Sequence, residues 1–513
     1  MNERTFGRIA KPIMSLTCLI GTFAQRKKKR KKPEMFWTVR ALLEVANIEI
    51  ASLSTDIQEI LDKKVLQICR AGSRFTKQSI CVQLYNDGPK VLKWAMRHGA
   101  LLLITKEQIE DFPCVVVNEP VKVYADMCAA LYQTTAVNST AVIGSIGKTT
   151  AKKMVYSVYS EAYNTFWEPG NDNQVDGIGY SAQHIPKRTE KWLQEVSEDT
   201  PGCTEQVSKI IKPNIAIITA IDKSHIEQFG NEQGILDEIA SITKYMPDYG
   251  VCITSMDDEN TKELIKNHRV VFVSMRNREA DFYADSISVN TEGICFSITD
   301  KKNDRTCKMK LKNVFAVHNV YSALYAFAAG VIQGMCYEDI VHGIERYKST
   351  GVRQNVFRAK GIVVYADCYN AVAKSVRSAI NAAAEIPIKG KRIAVLGDIA
   401  ETGEYTKSTH DELVDIVNSS NFDVLLALGE NICKSIEAKN NRDDLEIVLC
   451  KSHKQLSKTL KRTMKKGDLV LFKASHSSRL DKCLSSVFRF AYTRKMLEYY
   501  WPQVAWRLKV IFS

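Results

Sequence analysis

The segment Ala141–Met154, AVIGSIGKTTAKKM, contains residue types that hold phosphate. An apolar run enters Gly144, Ser145 follows, Gly147 gives a second permissive backbone position, and Lys148, Thr149 and Thr150 open a helical stretch. At such a turn backbone N–H groups face phosphate oxygens, and the helix N-terminus adds positive potential. The lysine reaches the terminal phosphates and the adjoining hydroxyl ligates magnesium, roles that fall to Lys148 and Thr149. The longer G-x-x-x-x-G-K-[ST] pattern needs glycine where Val142 stands, so this is the shorter G-x-x-G-K-T form of a nucleotide site.

A loop of this kind must be carried by a strand before it and a helix after it. Thr140–Gly144 supplies the strand, and Asn214–Ile221 and Gly250–Thr254 read as its neighbours. Upstream, from Phe36 to about Thr135, short apolar runs ending at Cys114–Val117 alternate with helical ones as a separate α/β unit. Downstream of Arg353 the runs GIVVYAD, RIAVLGD, DVLLALG and DLVLFKA are separated by helix-length segments. Strands alternating with helices imply mainly parallel sheets covered on both faces, with ligand loops at the strand ends.

The 513 residues exceed what one core supports and suggest about three domains. A composition 45% hydrophobic and 25% charged, with 12 Pro and 25 Gly, excludes a disordered or fibrous chain. Fourteen cysteines without a C-x-x-C pair argue against a zinc site or a disulfide framework and fit a reducing cytoplasm. The net charge of +13 owes much to one run, Lys27, Lys28, Lys29, Arg30, Lys31 and Lys32. A solvated arm is the first reading of that run, an anionic membrane surface the second and nucleic acid the third. The apolar stretch Ile13–Ala24 is shorter than the roughly 20 residues that span a bilayer and shows no cleavage pattern of a signal peptide. Met35 begins the first segment with clear structural patterning and is an alternative start. The tail, Arg489–Ser513, mixes basic and aromatic residues and would either pack on the last domain or lie on a membrane.

The ordered motifs resemble those of the Mur ligases, ATP-dependent enzymes that build the peptidoglycan stem peptide. The loop GSIGKTT is similar to their G-[ST]-x-G-K-T-[ST], and EPGNDNQVDGIG (Glu168–Gly179) to T-x-G-N-x-N-N-x-x-G. EVSEDTPG resembles E-x-G-x-x-x-x-G, which puts Glu195 at the magnesium-binding glutamate, and ITAIDKSHIEQFG puts His225 at the other metal-associated position. VHNVYSALYAFAAG resembles the helix whose asparagine sits near adenine, here Asn319. Arg353 falls at the family's arginine before the third domain, and YADCYNA matches the D-D-S-Y-N-A loop with Asp367, Tyr369 and Asn370. RIAVLGDIAETGEYTKSTH and GDLVLFKASHSSRL, with Lys473 and Ser475, complete a likeness running from about Phe36 to Leu484.

The chain also departs from that pattern. The family's lysine that helps to hold a second magnesium aligns with Ile239, Ala220 replaces an asparagine, and Gln58 replaces an arginine. Ala366 replaces the first aspartate of the D-D pair, Val372 and Ala373 replace N-P, and His476 replaces an arginine.

The resemblance implies an α/β, three-domain Mur ligase architecture with a central parallel-sheet P-loop ATPase domain and a C-terminal Rossmann-like domain. The expected divisions are a basic arm at 1–35, an acceptor-binding domain at 36–135, an ATP-binding domain at 136–352, a ligase domain at 353–488 and a tail at 489–513. The implied cofactors are ATP and Mg2+, with Gly144, Ser145, Gly147, Lys148, Thr149, Thr150, Asn319, Arg353 and Asp367 around the nucleotide. Thr149, Glu195 and His225 are the implied metal residues, and Lys148, Glu195 and His225 the catalytic ones. The implied reaction joins a carboxylate to an amine through an acyl phosphate, with D-alanyl-D-alanine added to a UDP-N-acetylmuramoyl-peptide in the cytoplasm. Expected partners are that UDP-linked acceptor and a dipeptide or amino-acid amine donor, for a monomer with no nucleic acid. Peripheral membrane contact through arm or tail stays open. Two alternatives stand beside this reading: a relative acting on a capsule or secondary-metabolite acceptor, and a non-catalytic nucleotide-binding scaffold.

Overall fold

A computed structural model describes residues 37–71, 75–85, 87–133, 137–168, 170, 172–221, 229–262, 264–349, 351–369, 371, 373–400 and 402–512. The basic run, the stretch Ile13–Ala24, His225, Asn370 and Val372 lie outside these residues. The described residues form two compact units, one built from those up to Val273 with Ala328–Gly334, the other from Ser274–Phe327 with the chain from Met335 onward.

The first unit begins with four parallel strands in simple order, β1 (Gln67–Arg70), β2 (Ser79–Val82), β3 (Leu102–Thr105) and β4 (Cys114–Val116). It continues with β5 (Asn138–Ile143), β6 (Thr165–Trp167), β7 (Lys191–Glu195), β8 (Ile215–Ile218), β9 (Val251–Ser255) and β10 (Arg269–Ser274). These are parallel and lie in the order β10-β9-β8-β5-β7-β6. Strands β8 and β9 are buried throughout, as expected of parallel strands covered on both faces and written in unbroken apolar runs. After β5 the chain crosses to β6 and β7 on one side and then to β8 on the other. The C-terminal end of β5 is therefore a switch point, the place where open α/β sheets leave a crevice for ligand.

The small sheet is tied to this one by polar contacts from the helix Val175–Gln183. Gln183 receives the Ile68 N–H at 2.8 Å and returns its own amide to the Ile68 carbonyl at 2.9 Å. The Tyr124 hydroxyl, on the helix Pro120–Gln133, donates to the Asp176 carbonyl at 3.0 Å.

The second unit opens with an antiparallel meander, β11 (Phe282–Asn290), β12 (Gly293–Asp300) and β13 (Arg305–Lys312). Its strand β13 buries Cys307, Met309 and Leu311 while the intervening lysines point outward, the alternation of a half-buried strand. This meander was not foreseen as antiparallel structure from the sequence. A six-stranded sheet follows: β14 (Asn355–Ala359), β15 (Ile362–Asp367), β16 (Arg392–Gly397), β17 (Val424–Leu428), β18 (Glu446–Leu449) and β19 (Leu469–Lys473), in the order β14-β15-β19-β16-β17-β18. Only β14 is antiparallel to its neighbour. One face packs Val363, Tyr365, Ala394, Leu396, Leu469 and Leu471 into a core, and the alternate residues Val364, Ala366, Ile393, Val395, Val470 and Phe472 fill the other. The four strands read from the sequence of this region are all present as β15, β16, β17 and β19.

The aromatic tail is helical from Arg489 to Phe512. Tyr492 and Met496 pack on the second of those cores, while Phe490, Leu497 and Trp501 are exposed. Among the described residues no helix is long and apolar enough to cross a membrane.

Candidate active site

The phosphate loop stands at the C-terminal end of β5. Gly144 has φ 127° and Gly147, which caps the helix Lys148–Tyr159, has φ 92°. A Cβ on Gly144 would lie 2.4 Å from Thr219 Oγ1 and 2.9 Å from the Thr219 carbonyl oxygen, so sterics as well as dihedral angle require glycine. The Ser145 and Ile146 amides both donate to the Ala220 carbonyl at 3.0 Å. Two amides of the turn, including that of the expected phosphate contact Ser145, are thus committed to β8's continuation rather than to the crevice. The N-terminus of the following helix, with Lys148, Thr149 and Thr150, remains as the source of amide donors.

Beneath the loop lies a set of buried charges. Strand β7 pairs Glu195 with Val142 of β5, which carries its carboxylate to the loop. The Thr149 hydroxyl donates to Glu195 Oε1 at 3.2 Å, and the Asn173 amide donates to the same oxygen at 3.3 Å. Lys152 Nζ lies 3.1 Å from Glu195 Oε2 and donates to the carbonyls of Glu168 and Gly170, each at 3.2 Å. Lys152 is 1% exposed, and the ring of Trp167 stands 5.5 Å from its ammonium. Lys148 Nζ donates to Glu198 Oε2 at 2.7 Å, to Glu198 Oε1 at 3.0 Å, and to the Gly144 carbonyl. Glu168 accepts the Gly170 amide at 2.6 Å and the Asp172 amide at 3.3 Å. Burial raises the Glu168 carboxyl above the usual carboxylate range, against the opposing pull of Lys152.

Thr149 and Glu195 offer a hydroxyl and a carboxylate side by side, a hard-oxygen set that suits magnesium. Among the described residues no three His, Cys, Asp or Glu side chains converge as a preformed cage.

The second unit gathers another polar set. Asp367 and Lys473 end the neighbouring strands β15 and β19 as register partners and form a buried ion pair at 2.9 Å. Asp367 also accepts the Gln354 amide at 3.1 Å, and the Gln354 side chain meets His318 Nε2 at 2.9 Å. Burial of the His318 ring holds its pKa below the ordinary histidine value despite the attraction of Asp367. Next to His318, Asn319 starts a helix and donates to the Ala316 carbonyl at 2.9 Å. Next to Gln354, the Arg353 guanidinium lies 3.6 Å from the centre of the Tyr369 ring. Asn319, Arg353 and Asp367, widely spaced in sequence, thus adjoin one polar chain. Ser475 accepts the Ala400 amide at 2.9 Å nearby in the chain's fold.

Two family models match the chain, the Mur ligase middle domain over residues 142–330 and the Mur ligase glutamate ligase domain over residues 352–476. Between them they account for more than half of it. The chain belongs to the Mur ligase family. It is 26% identical over 442 residues to the UDP-N-acetylmuramoyl-tripeptide–D-alanyl-D-alanine ligase of Bacillus subtilis, covering 85% of this chain and 93% of the relative. The enzyme of the same name from Escherichia coli is 24% identical over 392 residues, covering 76% and 83%. Among solved structures, MurF from Acinetobacter baumannii superposes with TM-score 0.76 at 21% identity, covering 89% of this chain and all of that one. MurF ligase from Thermotoga maritima, solved in complex with ADP, gives 0.72 at 22%, covering 86% and 100%.

In this Mur ligase Ile239, set by the sequence reading at the family's metal-supporting lysine, is fully buried in the helix Glu232–Ala240. Its neighbour Glu238 accepts the amides of Gly202 and Thr204, each at 2.7 Å, and is committed to capping the helix Cys203–Ile211. Gln58, in place of an arginine, donates to the Ile50 carbonyl at 2.6 Å. Sequence reasoning missed Lys152, Glu168 and Glu198. The available signal was the spacing: Lys148 and Lys152 are one helical turn apart, and Glu195 ends a strand that Glu198 soon follows.

Proposed function

We propose that this Mur ligase is an ATP-dependent carboxylate–amine ligase that adds D-alanyl-D-alanine to a UDP-N-acetylmuramoyl-tripeptide in the cytoplasm. The observation that carries the reading is the constellation at the end of β5, where Lys148 and Thr149, on a loop of the Mur ligase type, stand with Glu195 of β7. A carboxylate is a poor electrophile until one oxygen becomes a leaving group. The acceptor's terminal carboxylate attacks the γ-phosphorus of ATP, ADP departs, and an acyl phosphate results. The dipeptide amine then attacks the carbonyl carbon, losing a proton as inorganic phosphate leaves and the amide forms.

The protein's part in such phosphoryl transfer is positioning and charge neutralisation. Lys148 would follow the terminal phosphates, with the amides of the helix N-terminus beside it. Thr149 and Glu195, together with His225, would hold magnesium, which supplies charge neutralisation at the phosphates when bound. Lys152 holds the Glu195 carboxylate in place. In the second unit, Asn319 would serve the adenine, with Arg353 and Asp367 as further nucleotide contacts. Residues 36–135 would take the UDP-linked acceptor, 136–352 ATP and 353–488 the amine donor.

A second reading, the same chemistry on another acceptor, is favoured by Ile239 and by Gln58 turning to its own backbone. The test is phosphate release from ATP and magnesium with the UDP-linked tripeptide and D-alanyl-D-alanine added singly and together, beside Lys148→Ala. Release only with both substrates, lost in the variant, is the expected result. Nucleotide binding without release under any of these conditions would overturn the peptidoglycan assignment.

A further inference from the structure

The ammonium that should meet phosphate is already fully engaged. A lysine has three N–H donors, and those of Lys148 are matched by three oxygens: both of Glu198 and the Gly144 carbonyl. The pair is well shielded, with side chains 16% and 4% exposed. Phosphate oxygens can therefore reach Lys148 only by taking places held now by these oxygens, two of the three being those of Glu198. Once displaced, that carboxylate has little water to turn to, and Glu195 is already shared by Thr149, Asn173 and Lys152. A bare polyphosphate would confront an uncompensated buried negative charge, which is far costlier in a shielded site than in water. A nucleotide arriving with a divalent cation brings compensating charge with it.

We propose that Glu198 is a charge gate on the phosphate loop: it holds Lys148 in the nucleotide-free protein and makes binding of a nucleoside polyphosphate depend on the accompanying divalent cation. Glu198 acts through Lys148 and is a positioning residue. The inference rests on the nucleotide reading of the loop given above, but needs neither acceptor nor amine.

The test is calorimetric titration of ADP into the full-length protein, once with excess magnesium and once with a chelator, for the native chain, Glu198→Gln, Glu198→Ala and Lys148→Met. The glutamine variant keeps the shape and removes the charge. It is expected to bind metal-free ADP about tenfold more tightly than the native chain, the scale of one charge interaction in a shielded site. Its affinity for ADP with magnesium should change less than about threefold, so the metal dependence shrinks. The alanine variant should move the same way, and Lys148→Met should lose affinity in both conditions. Unchanged or weaker metal-free binding in both Glu198 variants overturns the gate. A loss confined to the magnesium condition also overturns it, by showing that Glu198 serves the metal directly. Absence of ADP binding by the native chain in either condition would sink the nucleotide reading itself, whereas binding without the predicted shift sinks the gate alone.

Discussion

Two shielded lysine–carboxylate pairs, Lys148–Glu198 and Asp367–Lys473, have similar lengths, 2.7 Å and 2.9 Å, and different fates. Asp367 and Lys473 are register partners on adjacent parallel strands, so the backbone ladder fixes their separation. Lys148 opens a helix after a glycine loop, and Glu198 lies three residues past the end of β7, so no ladder joins them. A pair locked by two strands keeps its geometry whether or not a ligand meets Asp367. One held only by side chains can be exchanged for a ligand, and the desolvation already spent on it makes the exchange selective.

The largest expected effect falls on the exchangeable pair. Lys148→Met should lower phosphate release by about 100- to 1,000-fold, the usual effect of removing one charge-stabilising donor. Lys473→Met breaks a pair fixed by the strand ladder, leaves Asp367 uncompensated and should cost about 3–5 kcal/mol of stability, read from urea denaturation curves. A fall in phosphate release of less than about tenfold in Lys148→Met would remove the distinction drawn above. Gly144→Ala should weaken ADP binding and cost about 1–3 kcal/mol, because a side chain is forced into positive φ and against Thr219. Tight ADP binding by this variant would show that the loop does not depend on the approach to β8.

The smallest effect concerns His318, which adjoins Asp367 through Gln354 and feels Lys473 as an opposing charge. Its pKa is lowered by folding, so below the ordinary value of about 6.5 the unfolded chain binds the additional proton. This contribution to stability is complete above about pH 6.5 and declines as pH falls toward the lower folded pKa. The slope cannot exceed about 1.4 kcal/mol per pH unit for one proton. His318→Gln should flatten it in denaturation curves taken between pH 5 and pH 7, in the order-of-magnitude range set by that single group. An unchanged slope would place the titration elsewhere.

Much of the fold was legible because parallel strands buried on both faces leave unbroken apolar runs. Ile215–Ile218, Ile362–Asp367 and Leu469–Lys473 were each readable in that way. The meander was harder, since RTCKMKLK in β13 hides three inward residues among charges. The phosphate loop was legible because glycines, lysine and hydroxyl fall within seven consecutive residues, Gly144–Thr150. Lys152 was not, for a lysine beside Lys153 on a helix reads as solvated, and only the neighbouring carboxylate and carbonyls make its burial tenable.

The sequence by itself determined what short-range chemistry encodes: the strand, the glycine turn, the helix start and the family's order of motifs. Tertiary structure alone decided which charges meet. Glu198 is 50 residues from Lys148, and Lys473 lies on β19, a late strand inserted between β15 and β16. Partner choice for a buried charge depends on strand order and register, which bring distant residues within hydrogen-bond reach and which no local pattern records.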